Sequence, residues 1–478
     1  MEGEYKITIG LEVHAELKTK TKMFCGCLNA PDEKNPNANI CPVCMGYPGT
    51  LPVINKSAVK KVLLVGSALG SELADFTEFD RKNYFYPDIP KGYQITQYKY
   101  PLVAGGELAG VKLTRIHLEE DTARSSHDTA GVSLVDYNRA GVPLMELVTE
   151  PVIHSANEVM KFAQELQLLL QYLGVSDANM EKGEMRVEVN ISISKTNEFG
   201  TKVEVKNINS FKAAGKAVEY EFERQKTLLE NGEKVVQETR GFDENKGITF
   251  SQRSKESAHD YRYFPEPDLP KLIISEIPEF VTEKLKSELP ELPWQKRERY
   301  GKWEIKNEDI ETYINNRVVA EFFESSVMEL AGNIELIKIL SNYITSDMIG
   351  LSKISVSREA GGDFRQGLVT PKAIAHLIKM IKAGEVSSRG AKDILKIIFE
   401  SGGEPEEIAK EKNLIQKSDP EELQKIIQKI ISENPTVVAD YKSGKESVLQ
   451  FFVGQGMKAS KGSGNPEVLK KIVLELLK

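Results

Sequence analysis

At 478 residues the chain is too long for a single hydrophobic core, and two or three domains are expected. A formal charge of −8 and a pI near 5.6 argue against a general nucleic-acid-binding surface and confine any such contact to a local basic patch. No apolar run reaches the length of a membrane span, and the first residues enter a strand-like pattern with no signal peptide. All four cysteines lie within Cys25–Cys44, which is unlike a secreted disulfide scaffold, so a soluble cytoplasmic protein without a membrane partner is expected.

Lys6–Leu17 alternates: Ile7, Ile9, Leu11, Val13, Ala15 and Leu17 form one face, and Glu12, His14 and Glu16 the other. A Glu and a His two apart on a strand project in parallel, as a shared ion or phosphate site requires; a wet outer face is the plainer reading. Cys25-Gly-Cys27 and Cys41-Pro-Val-Cys44 flank a loop rich in Pro and Asn, a spacing that lets four thiolates close a tetrahedron around structural zinc. The alternative is reduced, unliganded cysteine. Ser57–Gly70 reads as a helix burying Val59, Leu63 and Gly66. Arg81–Gln97, dense in aromatics, Pro and Gly, contains Lys82 and Lys91. It reads as a self-packing surface loop, or as cations beside aromatic faces that receive a nucleotide or an RNA end.

The unusual stretch is Thr114–Pro151. Strand alternation places Arg115, His117, Glu119 and Asp121 on one face of a first run, and Glu146 and Glu150 on one face of a second. Ordinary half-buried strands carry Val or Thr at such positions. Clustered carboxylates repel one another and persist most easily around a divalent cation, the alternative being a solvated acidic sheet edge.

A helix follows, with a Ser155/Glu158 capping box, a stripe of Val159, Phe162, Leu166, Leu169 and Leu173, and Gly174 as its stop. Met185–Ser194 sets Arg186, Glu188 and Asn190 opposite Val187, Val189 and Ile191. Lys202, Glu204 and Lys206 share a face before another helix from Phe211 to Leu229. The first half is therefore α+β, one sheet with helices on one side and a polar face on the other. Ser251–Pro270, with Arg253, Lys255, Asp260, Arg262 and a Pro-rich run, predicts no regular structure, and Pro290 to Lys302 reads as a boundary. Beyond Asn307 the pattern is helical, with Leu368–Lys478 as a separate module. Lys442, Lys445, Lys458 and Lys461 bracket Gly-rich turns in it, which alone reads as a solvated lysine face.

Carboxylates and His near Lys and Arg permit Mg²⁺-assisted phosphoryl transfer. The chain has no GxxxxGK[ST] loop, no GxGxxG turn opening a helix, no nucleophile elbow and no HExxH.

GLEVHAEL, RKNYFYPDIPKGYQITQ, DYNRAGVPLMELVTEP, KNINSF and DYRYFPEPDLP occur in this order. Together they closely resemble the B-subunit family of the bacterial and archaeal aspartyl/glutamyl-tRNA amidotransferases, over essentially the whole chain. The resemblance implies a catalytic domain at 1–292 of the glutamine synthetase/guanido kinase type, with a zinc-binding insertion at 25–44. A helical linker at 293–367 and a helical tRNA-binding tail at 368–478 would follow. It implies ATP-dependent phosphorylation and amidation of the side-chain carboxylate of Glu, and in many organisms Asp, on misacylated tRNA(Gln) or tRNA(Asn). Ammonia would come from an amidase (glutaminase) subunit, with a small clamp subunit completing a heterotrimer. Mg²⁺, ATP and structural zinc are the implied cofactors. Glu12, His14, Glu120 and Glu146 would surround metal and ATP, with His14, Glu120 and Glu146 as Mg²⁺ ligands and Glu119, Glu150 and Glu188 behind them. Alternation favours Glu119 over Glu120, whereas the family's pattern favours Glu120. Lys82, Arg186 and Lys206 would contact phosphate, and Lys442, Lys445, Lys458 and Lys461 would contact tRNA. Two other readings are a small-molecule carboxylate–ammonia ligase of glutamine synthetase type and a non-catalytic scaffold that presents tRNA.

Overall fold

The computed structural model describes residues 4–129, 131–254, 261–352, 368–416, 420–443, 445, 448–460 and 464–477. It divides into two compact units, Met1–Pro293 and Trp294–Lys478. The first is a sheet-rich mixed α/β domain and the second is helical.

The alternating runs of the first unit become the strands β1 (Lys6–Glu16), β2 (Asp80–Asn83), β3 (Tyr93–Thr96), β4 (Val103–Ala104) and β5 (Val111–Glu120). These are followed by β6 (Pro143–Thr149), β7 (Met185–Ser194), β8 (Val203–Lys206), β9 (Glu238–Asp243) and β10 (Ile248–Ser254). Among the described residues the main sheet has 10 strands: it runs β10-β9-β8-β7-β1-β6-β5-β4 to the short edge strand Glu72–Leu73, with Glu107–Leu108 pairing β5 off this path. Neighbours are antiparallel except β8 and β9. β2 and β3 form a separate small sheet with Phe264–Pro265.

One face of the main sheet carries the apolar alternation: Ile9, Leu11, Val13, Val187, Val189, Met145, Leu147, Ile116 and Leu118 are all buried. The three long helices of this unit, among the described residues, are α1 (Lys56–Ala68), α2 (Ala156–Tyr172) and α3 (Phe211–Glu230). Of the stripes expected from periodicity, Val59, Leu63 and Gly66 in α1 and Val159, Phe162, Leu166 and Leu169 in α2 are buried, while Leu173, the C-cap of α2, is half-buried. The Ser155 hydroxyl accepts from the Glu158 N–H at 3.2 Å, while the Glu158 carboxylate accepts from His154 N at 2.7 Å, so the reciprocal bond falls one residue before the box. Gly174 and Gly232, just beyond α2 and α3, take left-handed backbone, as helix stops do.

Pairing register decides what the opposite face carries. His14 of β1 lies opposite Arg186 of β7 on one side and Glu146 of β6 on the other, and Glu146 lies opposite His117 of β5. A single row of polar side chains thus crosses four neighbouring strands. A one-residue slip of β1 would turn His14 into the core and Val13 out of it.

One residue falls short of the row, and one expectation fails for a local reason. β5 carries one extra residue, Thr114, opposite the step from Val148 to Thr149, while β6 itself keeps alternating, with Leu147 and Thr149 buried and Val148 and Glu150 half-buried; Glu150 keeps the face of Glu146 but lies four residues further along. The segment from Ser251, expected to be irregular, contributes its first residues to β10, and Phe264–Pro265 pairs with Asp80 and Arg81. Main-chain bonds to an available strand outweigh a polar, Pro-rich composition there.

In the second unit, helices follow one another from Pro293–Lys302 to Pro466–Leu477. Tyr300, Tyr313 and Phe323 are fully buried, with Tyr313 and Phe323 stacked at 4.2 Å. Nearer the C-terminus, Leu423, Ile427, Phe452, Leu469 and Val473 form a further core cluster. Among the described residues, no helix is long and apolar enough to cross a membrane.

Gly66 is where α1 approaches the sheet edge most closely: a Cβ there would meet the Val103 methyls at 2.6 and 2.8 Å and Leu73 Cδ2 at 2.9 Å. Gly66→Val is therefore expected to destabilise the first unit by about 1–3 kcal/mol. The readout is a lower urea midpoint with an unchanged slope.

Candidate active site

The row defined by register becomes a compact group of side chains. His14 Nε2 lies 3.3 Å from Glu146 Oε2, 3.8 Å from Glu119 Oε1 and 3.9 Å from Glu12 Oε1. His117 Nε2 lies 3.5 Å from the same Glu146 oxygen and 4.0 Å from Glu119 Oε2. Glu146 thus sits between two imidazoles, with the Arg115 guanidinium 3.7 Å from its other oxygen. The Thr96 hydroxyl of β3 donates to Glu119 at 3.1 Å. One residue pair along, Glu12 faces Glu188 across β1 and β7, and Lys206 lies 2.7 Å from Glu188 and 3.4 Å from Glu204. At the other flank Asp121 accepts from Arg186 at 2.9 Å and lies 3.7 Å from Arg139.

Burial sets the protonation of these groups. It works against a charged His14, but the hydrogen bond to Glu146 and the charges of Glu146, Glu188 and Glu119 prevail and raise the ring to about 9. Burial, then Glu146 and Glu188, push Glu12 up to about 7, against His14 and Lys206. Burial and Asp121 push Glu16 up to about 8, against Arg186 and Arg139. Glu119 is raised by burial and by Glu146. Glu146 goes the other way: burial disfavours its charge, yet His117 and His14 hold it well below the usual carboxylate range. An imidazolium is doing here what a bound cation would do.

Three sets of donor atoms lie close enough to share an ion, each within 4.8 Å: Glu12, His14 and Glu146; His117, Glu119 and Glu146; and Glu12, Glu188 and Glu204. Carboxylate oxygens dominate, which suits a hard divalent cation that keeps open positions for water and phosphate. The Nδ1 atoms of His14 and His117 are buried without a hydrogen-bond partner, so neither ring is committed to another protein group through that nitrogen.

Of the residues singled out from sequence, the structure brings together Glu12, His14, Glu119, Glu146, Glu188 and Lys206. Lys82, 5.1 Å from the Tyr261 ring centroid, is held charged chiefly by Glu119 despite its burial. Arg186 joins the group through Asp121. Glu120 does not join it. Alternation turns it to the face of Ile116 and Leu118, where Lys91 approaches both its oxygens at 2.5 Å and Ile95 N donates at 2.9 Å. Glu150 lies four residues beyond Glu146 along the chain and accepts from the Thr114 hydroxyl at 2.8 Å. His117 was absent from the sequence-derived site, although its place on the face of Arg115 and Glu119 was readable from period two alone. Lys445, 3.3 Å from Asp440, and Lys458 are exposed; Lys461 and the side chain of Lys442 lie outside the described residues.

The cysteines converge separately. The sulfurs of Cys25, Cys27, Cys41 and Cys44 lie within 4.8 Å of one another, a set that could hold a thiophilic metal ion. The Cys41 N–H donates to Cys44 Sγ at 3.2 Å. Lys22, 0% exposed, places its ammonium 3.1 Å from the Tyr137 carbonyl and 3.9 Å from Cys44 Sγ. The hydrogen bond from Cys25 holds the Cys44 thiol down to about 5 against its burial, helped by the Cys41 N–H and by Lys22. A fully buried ammonium calls for a thiolate at this position.

Two measurements follow from this geometry. In the metal-free chain the His14 ring is expected to titrate near about 9, read from its ring-carbon chemical shift. Its contribution to stability is complete below the unfolded value of 6.5 and is lost as pH rises through about 9; titration below 6.5 would contradict the geometry. Lys22→Met in the zinc-loaded chain is expected to release metal to a chelator roughly tenfold faster than the parent chain. Equal release rates would show that the ammonium has no part in metal retention.

Comparison with known proteins agrees over both units. The description GatB/GatE catalytic domain matches residues 7–278, and the description GatB domain matches residues 321–477. The B subunit of the aspartyl/glutamyl-tRNA(Asn/Gln) amidotransferase of Thermoanaerobacter sp. (strain X514) is 44% identical over 485 residues, 99% of each chain. The proteins of that name from Persephonella marina and Thermodesulfovibrio yellowstonii are 44% and 43% identical over 486 residues, each covering 99% of this chain and 100% of the relative. The chain therefore belongs to the GatB family, the B subunits of carbon–nitrogen-ligating, tRNA-dependent amidotransferases.

Proposed function

We propose that the polar face of the sheet activates the side-chain carboxylate of Glu, and of Asp, esterified to a misacylated tRNA(Gln) or tRNA(Asn), for amidation. The observation that carries this reading is the row Arg186–His14–Glu146–His117, whose carboxylates and imidazoles meet over a core of ordinary apolar alternation. A carboxylate is a poor electrophile. Transfer of the terminal phosphoryl group of ATP to it gives an acyl phosphate and ADP; ammonia then attacks the acyl carbon, forming the amide bond and expelling phosphate.

Mg²⁺, when bound, neutralises the charge on the transferring phosphoryl group. Glu12, His14 and Glu146 are the residues that would hold it, with His117 and Glu119 beside Glu146, and Glu12, Glu188 and Glu204, as neighbouring sets; Glu120, assigned from the family's pattern, is engaged by Lys91 instead. Lys82, Arg186 and Lys206 line this face with positive charge for phosphate oxygens. His117 shares Glu146 with His14 and so holds that carboxylate ionised and in place. Ammonia would come from a glutaminase subunit, with a small clamp subunit completing a heterotrimer. The lysine-bearing helices of 368–478 would serve as a tRNA-binding tail after a linker at 293–367. The cysteines would hold structural zinc, and the sheet would belong to the glutamine synthetase/guanido kinase type. The setting is the cytoplasm, where charged tRNA is used.

The test is Glu146→Gln in the complex assembled with its partner subunits, supplied with Glu-tRNA(Gln), ATP, Mg²⁺ and ammonium. Formation of Gln-tRNA is expected to fall by about 10²–10³-fold while glutamine hydrolysis by the partner persists. Undiminished amidation would remove Glu146 from the reaction. Amidation of free glutamate at the rate of the tRNA-linked residue would replace the tRNA reading with a small-molecule ligase.

A further inference from the structure

The aromatic residues on either side of Lys82 and Lys91 have no part in the chemistry above, and their arrangement is specific. Tyr84 and Tyr86 follow β2, Tyr98 follows β3, and Tyr261 and Tyr263 precede the short strand that pairs with β2. Tyr98 and Tyr263 stack at 4.1 Å with planes 9° apart, and Tyr84 and Tyr86 lie parallel within 4° at 5.6 Å. Tyr261 links the two pairs, meeting Tyr84 and Tyr263 edge-on at 6.1 and 6.0 Å. The result is a continuous set of rings with an exposed member in each stacked pair: Tyr86 is 59% exposed and Tyr98 62%, and Phe85, between Tyr84 and Tyr86 in sequence, is 86% exposed.

Rings held by one another lose little further freedom when a flat ligand is added, and stacking on such rings contributes roughly 1–3 kcal/mol per base. Exposed aromatic surface this concentrated marks a contact site more often than idle surface. The set also borders the candidate active site. Lys82 reaches over Tyr261, and Thr96, two residues before Tyr98, bonds to Glu119. Exposed Lys99 follows Tyr98 in the chain and exposed Arg262 lies between Tyr261 and Tyr263, so positive charge accompanies the rings in sequence.

We propose that this tyrosine set is a stacking subsite for the unpaired terminal bases of the RNA that carries the aminoacyl group. The inference rests on the amidation reading above and gives it a place for the nucleic acid. The reacting carboxyl hangs from the terminal ribose, so the terminal base has to lie at the rim of the Glu119–Glu146 group, where the rings are. Exposed rings at both Tyr86 and Tyr98 suit consecutive bases of a single strand, whereas ATP offers one base.

The experiment uses the full chain with its partner subunits and an RNA acceptor stem carrying 2-aminopurine at its 3′-terminal position, without ATP or ammonia. Binding is expected to quench the fluorescence through stacking. Tyr86→Ser combined with Tyr98→Ser is expected to abolish the quench and weaken binding about ten- to hundredfold, with Tyr→Phe at both positions restoring them. In the amidation assay the serine variant is expected to raise KM for the aminoacyl-tRNA, leaving KM for ATP and kcat unchanged. Both rings are exposed, and an unaltered melting temperature checks that the variants fold. Absence of quenching, or a rise in KM for ATP in place of that for tRNA, overturns the subsite. If the RNA quenches and the tyrosine variants behave as stated but no amidation occurs, the amidation reading fails and the subsite stands.

Discussion

The placement of β1 between β6 and β7 is the constraint on which the first unit depends. Its antiparallel registers set His14 against Arg186 on one side and Glu146 on the other while Val13 and Ala15 stay buried beneath them. The apolar face contributes the burial energy that folds the domain, and the same alternation delivers every second side chain to the opposite face. Fold and site are two readings of one set of hydrogen bonds. Moving the strand by one residue would lose both together.

The polar face works against its own charges. Burial, then the charges of Glu146 and Glu188, disfavours ionisation of Glu12, and burial and Glu146 disfavour that of Glu119. The balance is restored from within by the imidazoles on Glu146 and by the ammonium on Glu188 and Glu204. Such an arrangement suits a cation: a divalent ion would replace a proton-dependent compensation with a permanent one. The cysteine centre applies the same principle on a smaller scale, with the buried Lys22 ammonium facing sulfur.

Glu119 and Glu120 show how adjacent residues with the same chemistry acquire different surroundings. Glu119 enters the group around His14. Glu120, one residue on, accepts from Lys91 and from the Ile95 N–H on the opposite face, beside a pocket that reaches Cys25 and Cys44. The carboxylate pair therefore connects the two polar regions of the domain through the sheet, one side chain to each.

The amino-acid order by itself determined which residues alternate, where α2 and α3 start and stop, that the thiols come in close pairs, and that Glu12, His14, Glu119 and Glu146 lie on polar faces of strands. Period-two and period-3.6 patterns are local, and a chain carries them wherever it goes. His117 was legible on the same grounds as Glu119. Tertiary structure alone decided which faces meet: that Glu146 lies between His14 and His117, that Asp121 engages Arg186 and Arg139, and that Tyr84, Tyr86, Tyr98, Tyr261 and Tyr263 form one connected set. It also left Glu150, on the same face as Glu146, outside the group and bonded to Thr114. These are contacts between segments far apart in the chain, set by pairing register and by how strand ends meet, and register is a property of two strands together.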